Sequence, residues 1–258
     1  MMPPVSISQL SAMVSDFFWP FCRILALISA APLLSEKQVS PRVKTGLALA
    51  ISGLITPLLP ASGIPLFSLS GVLTLGQQYM IGTALGWGMT FAFAAVRLAG
   101  EVTGLQMGLS FASFYDQSSH STVSVLARIY YMLALLLFLS FNGHLWLLET
   151  VTESFSALPV GVRSLSPGGV NALCQFAAII FSSALRLALP LIMFLLTLNL
   201  TLGLLNRMSP QLSVFVVGFP LTLTLGILSS RLLFPWFIPY TSQLFSRISE
   251  QLSGILLQ

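Results

Sequence analysis

The sequence predicts an all-α integral membrane protein with about six long hydrophobic helices. Of its 258 residues, 55% are hydrophobic and only 7% are charged, whereas an average soluble domain carries about a quarter charged residues. Uncharged apolar stretches of about 20 residues recur, and each is long enough to cross about 30 Å of hydrocarbon. Eleven basic and seven acidic residues are too few to cover a water-soluble surface, which excludes an ordinary soluble globule.

The first hydrophobic segment, residues 10–34, predicts a membrane helix that remains in the mature protein. A cleaved signal peptide begins with a positively charged region followed by a clean apolar stretch. Here no Lys or Arg precedes residue 10, and Asp16 and Arg23 interrupt the apolar run. We therefore expect this helix to be retained.

Five further apolar segments complete the predicted set, and short stretches rich in Pro, Gly and Ser separate them. They cover residues 43–59, 72–98, 123–148, 170–205 and 212–233. The segment 170–205 would measure about 54 Å as a straight helix and contains Arg186 and Pro190. Because proline removes a helix hydrogen bond and clashes with the preceding turn, we expect this segment to break, tilt or leave the bilayer.

The tail from Pro239 onward predicts an amphipathic helix. Its apolar residues recur at helical spacing, and its other face is mostly Ser and Gln. The apolar set is Leu244, Phe245, Ile248, Leu252, Ile255 and Leu256. Such a helix lies in the membrane interface or packs on partner subunits, and a polar face poor in Lys and Arg favours the partner subunits.

The distribution of basic residues predicts that both termini lie on the outer, periplasmic side of the membrane. Basic residues concentrate in connections on the cytoplasmic side of membrane proteins. One set of connections carries Lys37, Arg42, Lys44, Arg97, Arg128 and Arg207, and the other carries Arg163, Arg231 and Arg247. The larger set is therefore placed on the inner side.

Six charged residues fall within or at the ends of the apolar segments: Asp16, Arg23, Arg97, Glu101, Arg128 and Arg186. An unpaired charge at mid-bilayer costs at least about 2.5 to 3.5 kcal/mol, so each should find a partner or face water. Asp16 and Arg23 share a helix face, and Arg97 and Glu101 stand at i, i+4 and can pair. The six charges either fix helix packing or line an aqueous conduit, and the sequence leaves both open.

Small residues in the third segment predict close helix packing. Gly82, Gly86 and Gly88 accompany Ala84, and a GxxxG pattern lets two helix backbones approach where apolar burial alone gives no drive. Cys22 and Cys174 lie far apart in apolar stretches without a CxxC motif, so we expect two buried thiols.

Several function classes are excluded. The net charge of +4 is scattered and forms no basic stripe of the kind that binds nucleic acid. The sequence contains no GxxxxGK[ST], dinucleotide fingerprint or HExxH motif, so no nucleotide, cofactor or metal is predicted.

The stretch from Gly104 to Ser121, GLQMGLSFASFYDQSSHS, carries the most functional information. It joins two long apolar segments and mixes Gly and Ser with Met107, Phe111, Phe114 and Tyr115, the large apolar residues. Each of these would forgo roughly 1.5 to 3 kcal/mol if left in water. The stretch is therefore either a loop folded onto its own subunit or a flexible hydrophobic stopper in a passage.

Three long strings resemble the FliR family of flagellar export-gate subunits, which is related to a subunit of virulence type III secretion injectisomes. They are AAVRLAGEVTGLQMGLSFASFYD at 94–116, FLSFNGHLWLLETVTESFSALPVG at 138–161 and RLALPLIMFLLTLNLTLGLLNRMSPQLSVFVVGFPLTL at 186–223. Strings of this length are far more specific than a short motif. Gln78 stands where an acidic residue is common in the family, Gln117 where Pro is usual, and Ser213 where Asn is usual.

The resemblance implies a core subunit of the flagellar type III protein export gate, in the bacterial inner membrane at the basal body. Its implied partners are FliP-like and FliQ-like subunits, an FlhB-like switch subunit and the unfolded polypeptides that are exported. It implies bent helical hairpins in a helical assembly, with a FliP-like part at 1–165 followed by a FliQ-like part at 166–258. The loop 104–120 would plug the closed pore. Its plug residues would be Gly104, Met107, Gly108, Phe111, Phe114, Tyr115 and Asp116.

Three other functions remain as alternatives. The injectisome subunit is the nearest. An intramembrane serine protease would use Ser110, in GLS, with His144, but a loop that resembles a plug is a poor nucleophile site, and His144 is expected to be a buried helix-end histidine. A small-molecule transporter would suit the broken segment with Arg186 and Pro190, although no inverted repeat relates the two halves. No catalytic residues are therefore predicted.

Overall fold

The computed structural model describes residues 7–36, 38–109, 114–116, 121–161, 167–208 and 214–256. Over these residues the chain is an all-α membrane protein with seven α-helices. They are α1 (Ile7–Ala30), α2 (Pro41–Ile55), α3 (Leu69–Gln106), α4 (Val125–Ser140), α5 (Gly143–Ala157), α6 (Pro167–Met208) and α7 (Val214–Leu256). A short 3₁₀ helix, Thr56–Leu58, follows α2.

Four described helices are long and apolar enough to cross a membrane, at Ser11–Ala30, Leu69–Gln106, Cys174–Met208 and Gly218–Leu252. The broken pair α4 and α5 raises the count to five if it forms one span. The prediction of about six spanning segments is therefore too high. The predicted second segment corresponds to α2, whose 15 residues give a helix only about 22 Å long. The predicted fourth segment breaks where Asn142 adopts a left-handed conformation with φ of 57°.

Of the three outcomes expected for the segment with Pro190, a break, a tilt or an exit from the bilayer, the break does not occur, because α6 continues through this proline for 42 residues, or about 63 Å. Likewise α7 continues for 43 residues through Pro220, Pro235 and Pro239. The predicted sixth segment and the predicted C-terminal helix are thus one helix. Each proline removes a single hydrogen bond, and in an apolar medium the remaining backbone groups have no alternative partners, so the helix persists.

Two short strands interrupt the helical architecture in the connection between α3 and α4. Strands β1 (Phe114–Asp116) and β2 (Ser121–Val123) pair antiparallel, with Phe114 opposite Val123 and Asp116 opposite Ser121. Sequence analysis predicted a loop here. Aromatic residues in β1 and β-branched residues in β2 favour extended pairing, which explains this ribbon.

The chain divides into two compact units, each assembled from separated stretches. Unit 1 contains Met1–Thr90, Asn142–Phe176 and Ile248–Gln258, and unit 2 contains Phe91–Phe141 and Ala177–Arg247. Large buried residues of unit 1 are Trp19, Ile24, Leu27, Ile28, Ile81 and Val151. The division into a FliP-like part and a FliQ-like part stays a prediction.

In unit 1 the glycines of α3 make the predicted close approach to α1. A Cβ atom on Gly82 would overlap the carbonyl oxygen of Arg23, and one on Gly86 would lie 2.7 Å from the Cβ of Ala30. The hydroxyl of Thr90 donates to the carbonyl of Ala30 across the same contact, at 2.8 Å. Glycine is therefore required at this crossing by the proximity of the α1 backbone.

The tail of α7 packs on the chain itself, which corrects the preference for partner subunits. In unit 2 the ring of Phe245 lies 5.3 Å from that of Phe93 and 5.6 Å from that of Phe138, measured between centroids. In unit 1 the side chain of Leu252 occupies the space over Gly88. Leu244 and Ile248 are also buried, so the apolar face covers internal surface.

The two cysteines are free thiols, Cys22 half-buried and Cys174 exposed. The expectation of two buried thiols is therefore wrong for Cys174. Only 33% of the most apolar stretch of α6, 18 residues long, is buried inside the chain. In a membrane protein an apolar stretch faces lipid or other subunits as readily as its own core, so hydrophobicity alone does not predict internal burial.

Candidate functional site

Arg23 occupies the centre of a buried polar cluster in unit 1 and is 0% exposed. Its Nε donates to Oε1 of Gln78 at 2.7 Å, and its Nη2 donates to the carbonyl of Leu158 at 2.7 Å. Its Nη1 donates to the carbonyl and hydroxyl of Ser154 at 2.8 and 3.1 Å. The guanidinium carbon also lies 4.1 Å from the ring centroid of Phe155. One side chain thus joins α1, α3 and α5.

The acceptors around Arg23 are neutral. Oxygens of one amide, one hydroxyl and two backbone carbonyls receive its hydrogen bonds, and the Phe155 ring adds a cation–π contact. The amide oxygen of Gln78, which carries no net charge, is the acceptor nearest to Nε of the guanidinium. The charge is stabilised by oriented dipoles in a site closed to water.

Asp16 shares the face of α1 but is bound elsewhere. Its Oδ1 accepts hydrogen bonds from the backbone N–H and the hydroxyl of Ser62, both at 2.8 Å. Sequence spacing correctly predicted that both charges would find partners, but the partners come from segments far along the chain. Asp16 connects α1 to the stretch that follows the 3₁₀ helix.

Replacing Ser62 by Ala is expected to lower the free energy of unfolding by about 1 kcal/mol, because Asp16 loses one of its two donors. The backbone N–H of residue 62 remains, so the loss should stay partial. Thermal unfolding of the purified chain in detergent checks this. Ser182→Ala is the matched control, since its exposed hydroxyl bonds only to a backbone carbonyl at 3.3 Å. Equal melting temperatures for both variants would contradict the assignment.

The other predicted intramembrane charges lie nearer the surface of the chain. Arg97 and Glu101 on α3 are half-buried, and Arg128 and Arg186 are exposed. Arg23 is thus the only one of the six that is fully buried in the described structure. Which of these charges line a conduit stays a prediction, as does the pairing of Arg97 with Glu101.

The second candidate site is the base of the loop that follows α3, in unit 2. Met107 is 1% exposed and forms a buried core with Leu191 and Leu195 of α6. Three partly buried leucines pack against this core: Leu109, Leu126 and Leu233. Sequence analysis grouped Met107 with the pore-filling aromatics, whereas the structure places its side chain between helices.

A glycine turn ends α3 at this base. Gly108 has a φ of 80°, in the left-handed region that favours glycine at a helix C-terminus. A Cβ atom there would lie 3.0 Å from Cδ2 of Phe219. The N–H groups of Met107 and Gly108 donate to the carbonyls of Thr103 and Leu105, at 3.0 and 3.1 Å. The chain direction after α3 is therefore set by hydrogen bonds and close packing.

Side chains from α6 and α7 satisfy carbonyls at the end of α3, which have no partners within the helix. The amide Nδ2 of Asn199 donates to the carbonyl of Gln106 at 3.4 Å, and the hydroxyl of Thr222 donates to that of Met107 at 3.5 Å. At the other end of the connection, Ser124 faces Gly104, whose missing side chain leaves room for it. The base of the loop is held from both sides.

The tip of the loop is described only in part. Phe111, Ser110 and His120 lie outside the described residues, and Phe114, Tyr115 and Asp116 are described as the backbone of β1. The plug role of these residues stays a prediction. His144 is exposed near the start of α5, so its expected burial is wrong. Among the described residues, no group of three or more His, Cys, Asp or Glu could hold a metal ion.

Most residues around Arg23 and around the base of the loop at Met107 were not predicted from the sequence. Gln78, Ser154 and Leu158 were not connected to Arg23, and Asn199 and Thr222 were not connected to the loop. One signal was available, since Gln78 is a polar residue within a long apolar helix and needs a hydrogen-bond partner there. The backbone carbonyls of Ser154 and Leu158 carry no sequence signal at all.

Comparison with known proteins agrees with this architecture. The family described as Bacterial export proteins, family 1, matches residues 14–248. Flagellar biosynthetic protein FliR of Escherichia coli (strain K12) is 54% identical, over 98% of this chain and 97% of that protein. FliR of Pectobacterium carotovorum is 50% identical, over 95% and 94%. FliR of Bacillus subtilis (strain 168) is 27% identical, over 82% and 83%.

These matches run through nearly the whole chain, including α1, both candidate sites and most of α7. The family is described as bacterial export proteins, and these relatives are named as flagellar biosynthetic proteins. Several helices of spanning length agree with a multi-pass protein of the flagellar export apparatus. The chain therefore belongs to the bacterial export proteins, family 1, the family of flagellar biosynthetic protein FliR.

Proposed function

We propose that this chain is a wall subunit of the flagellar type III protein export gate in the bacterial inner membrane, and that residues 104–120 plug its channel at rest. The observation that carries the proposal is the construction of the loop base. Met107 and Gly108 hold the end of α3 in the core of unit 2, while the residues beyond Leu109 combine large aromatic side chains with small polar ones. Such a loop has a base that is fixed by packing.

The physical need for a plug follows from the cargo. A channel wide enough for an unfolded polypeptide would conduct ions and protons when empty, and an apolar constriction prevents this by excluding water. Phe111 and Phe114 supply the apolar bulk. In this proposal an arriving chain displaces the plug and the plug returns after passage, so no covalent or nucleotide-driven step is needed at the constriction.

The apolar surface of unit 2 supports assembly with other membrane subunits. Only 33% and 17% of the most apolar windows of α6 and α7 are buried inside the chain. An apolar groove of about 560 Å³ runs between these helices, lined by residues such as Met193, Phe194 and Leu221. FliP-like and FliQ-like subunits and an FlhB-like switch subunit are the proposed partners. The flagellar names of the relatives favour the flagellum over an injectisome.

Shortening the loop tip, by replacing residues 110–120 with a few Gly and Ser residues, is expected to raise the resting ion conductance of the assembled gate. The gate is purified through a tag on this chain and reconstituted in planar bilayers. The matched control is Phe181→Ala on α6, which removes an exposed aromatic side chain far along the sequence from the loop. Conductance equal to that of the intact gate would overturn the plug.

The same purification separates the gate from a small-molecule transporter. A gate subunit is expected to be recovered with several different small membrane proteins. Recovery as a homogeneous carrier that moves a solute into liposomes would contradict the proposal.

A further inference from the structure

Gly226 on α7 lies directly against the side chain of Met107. A Cβ atom added to Gly226 would stand 2.7 Å from Cγ, 2.9 Å from Sδ and 3.0 Å from Cε of Met107. Real Cβ atoms essentially never come this close to three neighbouring atoms. The methionine thus occupies the volume that any other residue at position 226 would need.

A second contact on the same face of α7 binds the backbone of the same residue. Thr222 precedes Gly226 by four positions, which places both on one helix face. Its hydroxyl donates to the carbonyl of Phe219 at 3.0 Å and shares this hydrogen with the carbonyl of Met107, which lies farther away at 3.5 Å. The main contact of α7 with Met107 is therefore the one between the Met107 side chain and Gly226, and the Thr222 hydroxyl adds a weaker one at the Met107 carbonyl.

The side chain of Met107 is buried among side chains of α6. It is 1% exposed, and Leu191 and Leu195, its partners on α6, are 2% and 0% exposed. A flexible methionine adapts to irregular space, and a cavity of about 420 Å³ borders its neighbours Leu126, Leu191 and Leu233. An added methyl group at position 226 would force the buried Met107 side chain to shift and its leucine neighbours to repack.

We propose that Met107 anchors the plug loop to the core of unit 2. Gly226 is the positioning residue, because its missing side chain leaves the space that the Met107 side chain occupies. The inference rests on the proposed function of the loop and adds how its position is controlled. Because Met107 immediately precedes the left-handed turn at Gly108, the seat on α7 sets where the loop begins. A shift of α7 along α6 is thereby transmitted to the plug.

The first test measures hydrogen exchange of the backbone amides of Met107 and Gly108 in the assembled gate. Gly226→Ala is expected to accelerate their exchange about tenfold, because overpacking destabilises the seated state. Gly203→Ala on α6 is the matched control, since a Cβ atom there meets nothing within 4 Å. Exchange that is unchanged in Gly226→Ala would overturn the anchor.

A double variant tests whether the effect passes through Met107. Met107→Ala should itself accelerate exchange, and adding Gly226→Ala to it should cause no further acceleration, because the clashing side chain is gone. An equal acceleration by Gly226→Ala in both backgrounds would refute the inference. If Gly226→Ala does not accumulate, Thr222→Val replaces it, with faster exchange expected from loss of the hydroxyl and unchanged exchange refuting the anchor.

Resting conductance, measured on the same variants, separates this inference from the proposed function. Gly226→Ala with faster exchange and raised conductance supports both. Faster exchange without raised conductance supports the anchor and opposes the plug. Raised conductance on loop shortening, combined with unchanged exchange in Gly226→Ala, supports the plug and overturns the anchor.

Discussion

Replacing Arg23 by Ala is expected to lower the free energy of unfolding by about 3 to 5 kcal/mol. The substitution removes a fully buried side chain and leaves a cavity. It also leaves the carbonyls of Ser154 and Leu158 and the amide oxygen of Gln78 without the donor that they have now. Each buried acceptor left unpaired costs about 1 to 3 kcal/mol, partly relieved if water enters the cavity.

Arg23→Lys separates the charge from the geometry of this cluster. An ammonium group keeps the positive charge but lacks the planar fork that now points at three acceptors on different segments. We expect a stability between those of the native chain and Arg23→Ala. Thermal unfolding in detergent gives the order, and Arg207→Ala, at an exposed position of α6, is the control that should change little. If Arg23→Ala and Arg207→Ala have the same melting temperature, the cluster does not stabilise unit 1.

Replacing Gly82 by Ala is expected to destabilise the chain by about 1 to 3 kcal/mol, although Ala is the better helix former by roughly 0.5 to 1 kcal/mol. The added Cβ would overlap the carbonyl oxygen of Arg23 and lie 2.8 Å from the Cβ of Ala26. A backbone carbonyl cannot rotate aside as a side chain can, so α1 and α3 must separate. Gly82→Leu should have a larger effect.

Gly76→Ala is the matched control on the same helix, because a Cβ atom there meets nothing within 4 Å. It should leave the melting temperature unchanged or raise it slightly. A destabilisation of the same size in both variants would mean that helix propensity or lipid contact, and not the crossing with α1, determines the result.

The two predictions are coupled through one pair of helices. Gln78 and Gly82 stand four residues apart on α3, and both contact Arg23, the first at its guanidinium and the second at its carbonyl. Separating the helices by Gly82→Ala would also lengthen the bond between Arg23 and Gln78. The stability losses of Gly82→Ala and Arg23→Lys should therefore be smaller in combination than their sum.

Local sequence patterns gave correct predictions for the packing of helices in the membrane. The glycines at 82 and 86 correctly predicted a close helix crossing, because small residues have few other uses at such spacing. Proline was less informative. Pro190 left a break, a tilt or an exit from the bilayer open, and α6 has no break there, since a long apolar helix tolerates the loss of one hydrogen bond.

For the tail of α7, the sequence predicted the apolar face but not the surface that covers it. Its apolar face at Phe245 and Leu252 was identified correctly, but its partner was not. A periodic apolar face indicates that an apolar surface covers it, but not which surface. Here the covering groups are Phe93 and Phe138 for one residue and the bare backbone at Gly88 for the other.

The sequence by itself determined the membrane class, the helical architecture and the glycine crossing, because composition and short-range periodicity depend only on the order of the residues. The resemblance of three long strings indicated the family. Only the tertiary structure decided which groups hold Arg23 and which hold Met107. Arg23 bonds to residues 55, 131 and 135 positions away, and Met107 bonds to one 115 positions away. Contacts over such separations depend on how helices pack, and two of the four oxygens that accept hydrogen bonds from Arg23 are backbone carbonyls, which every residue possesses.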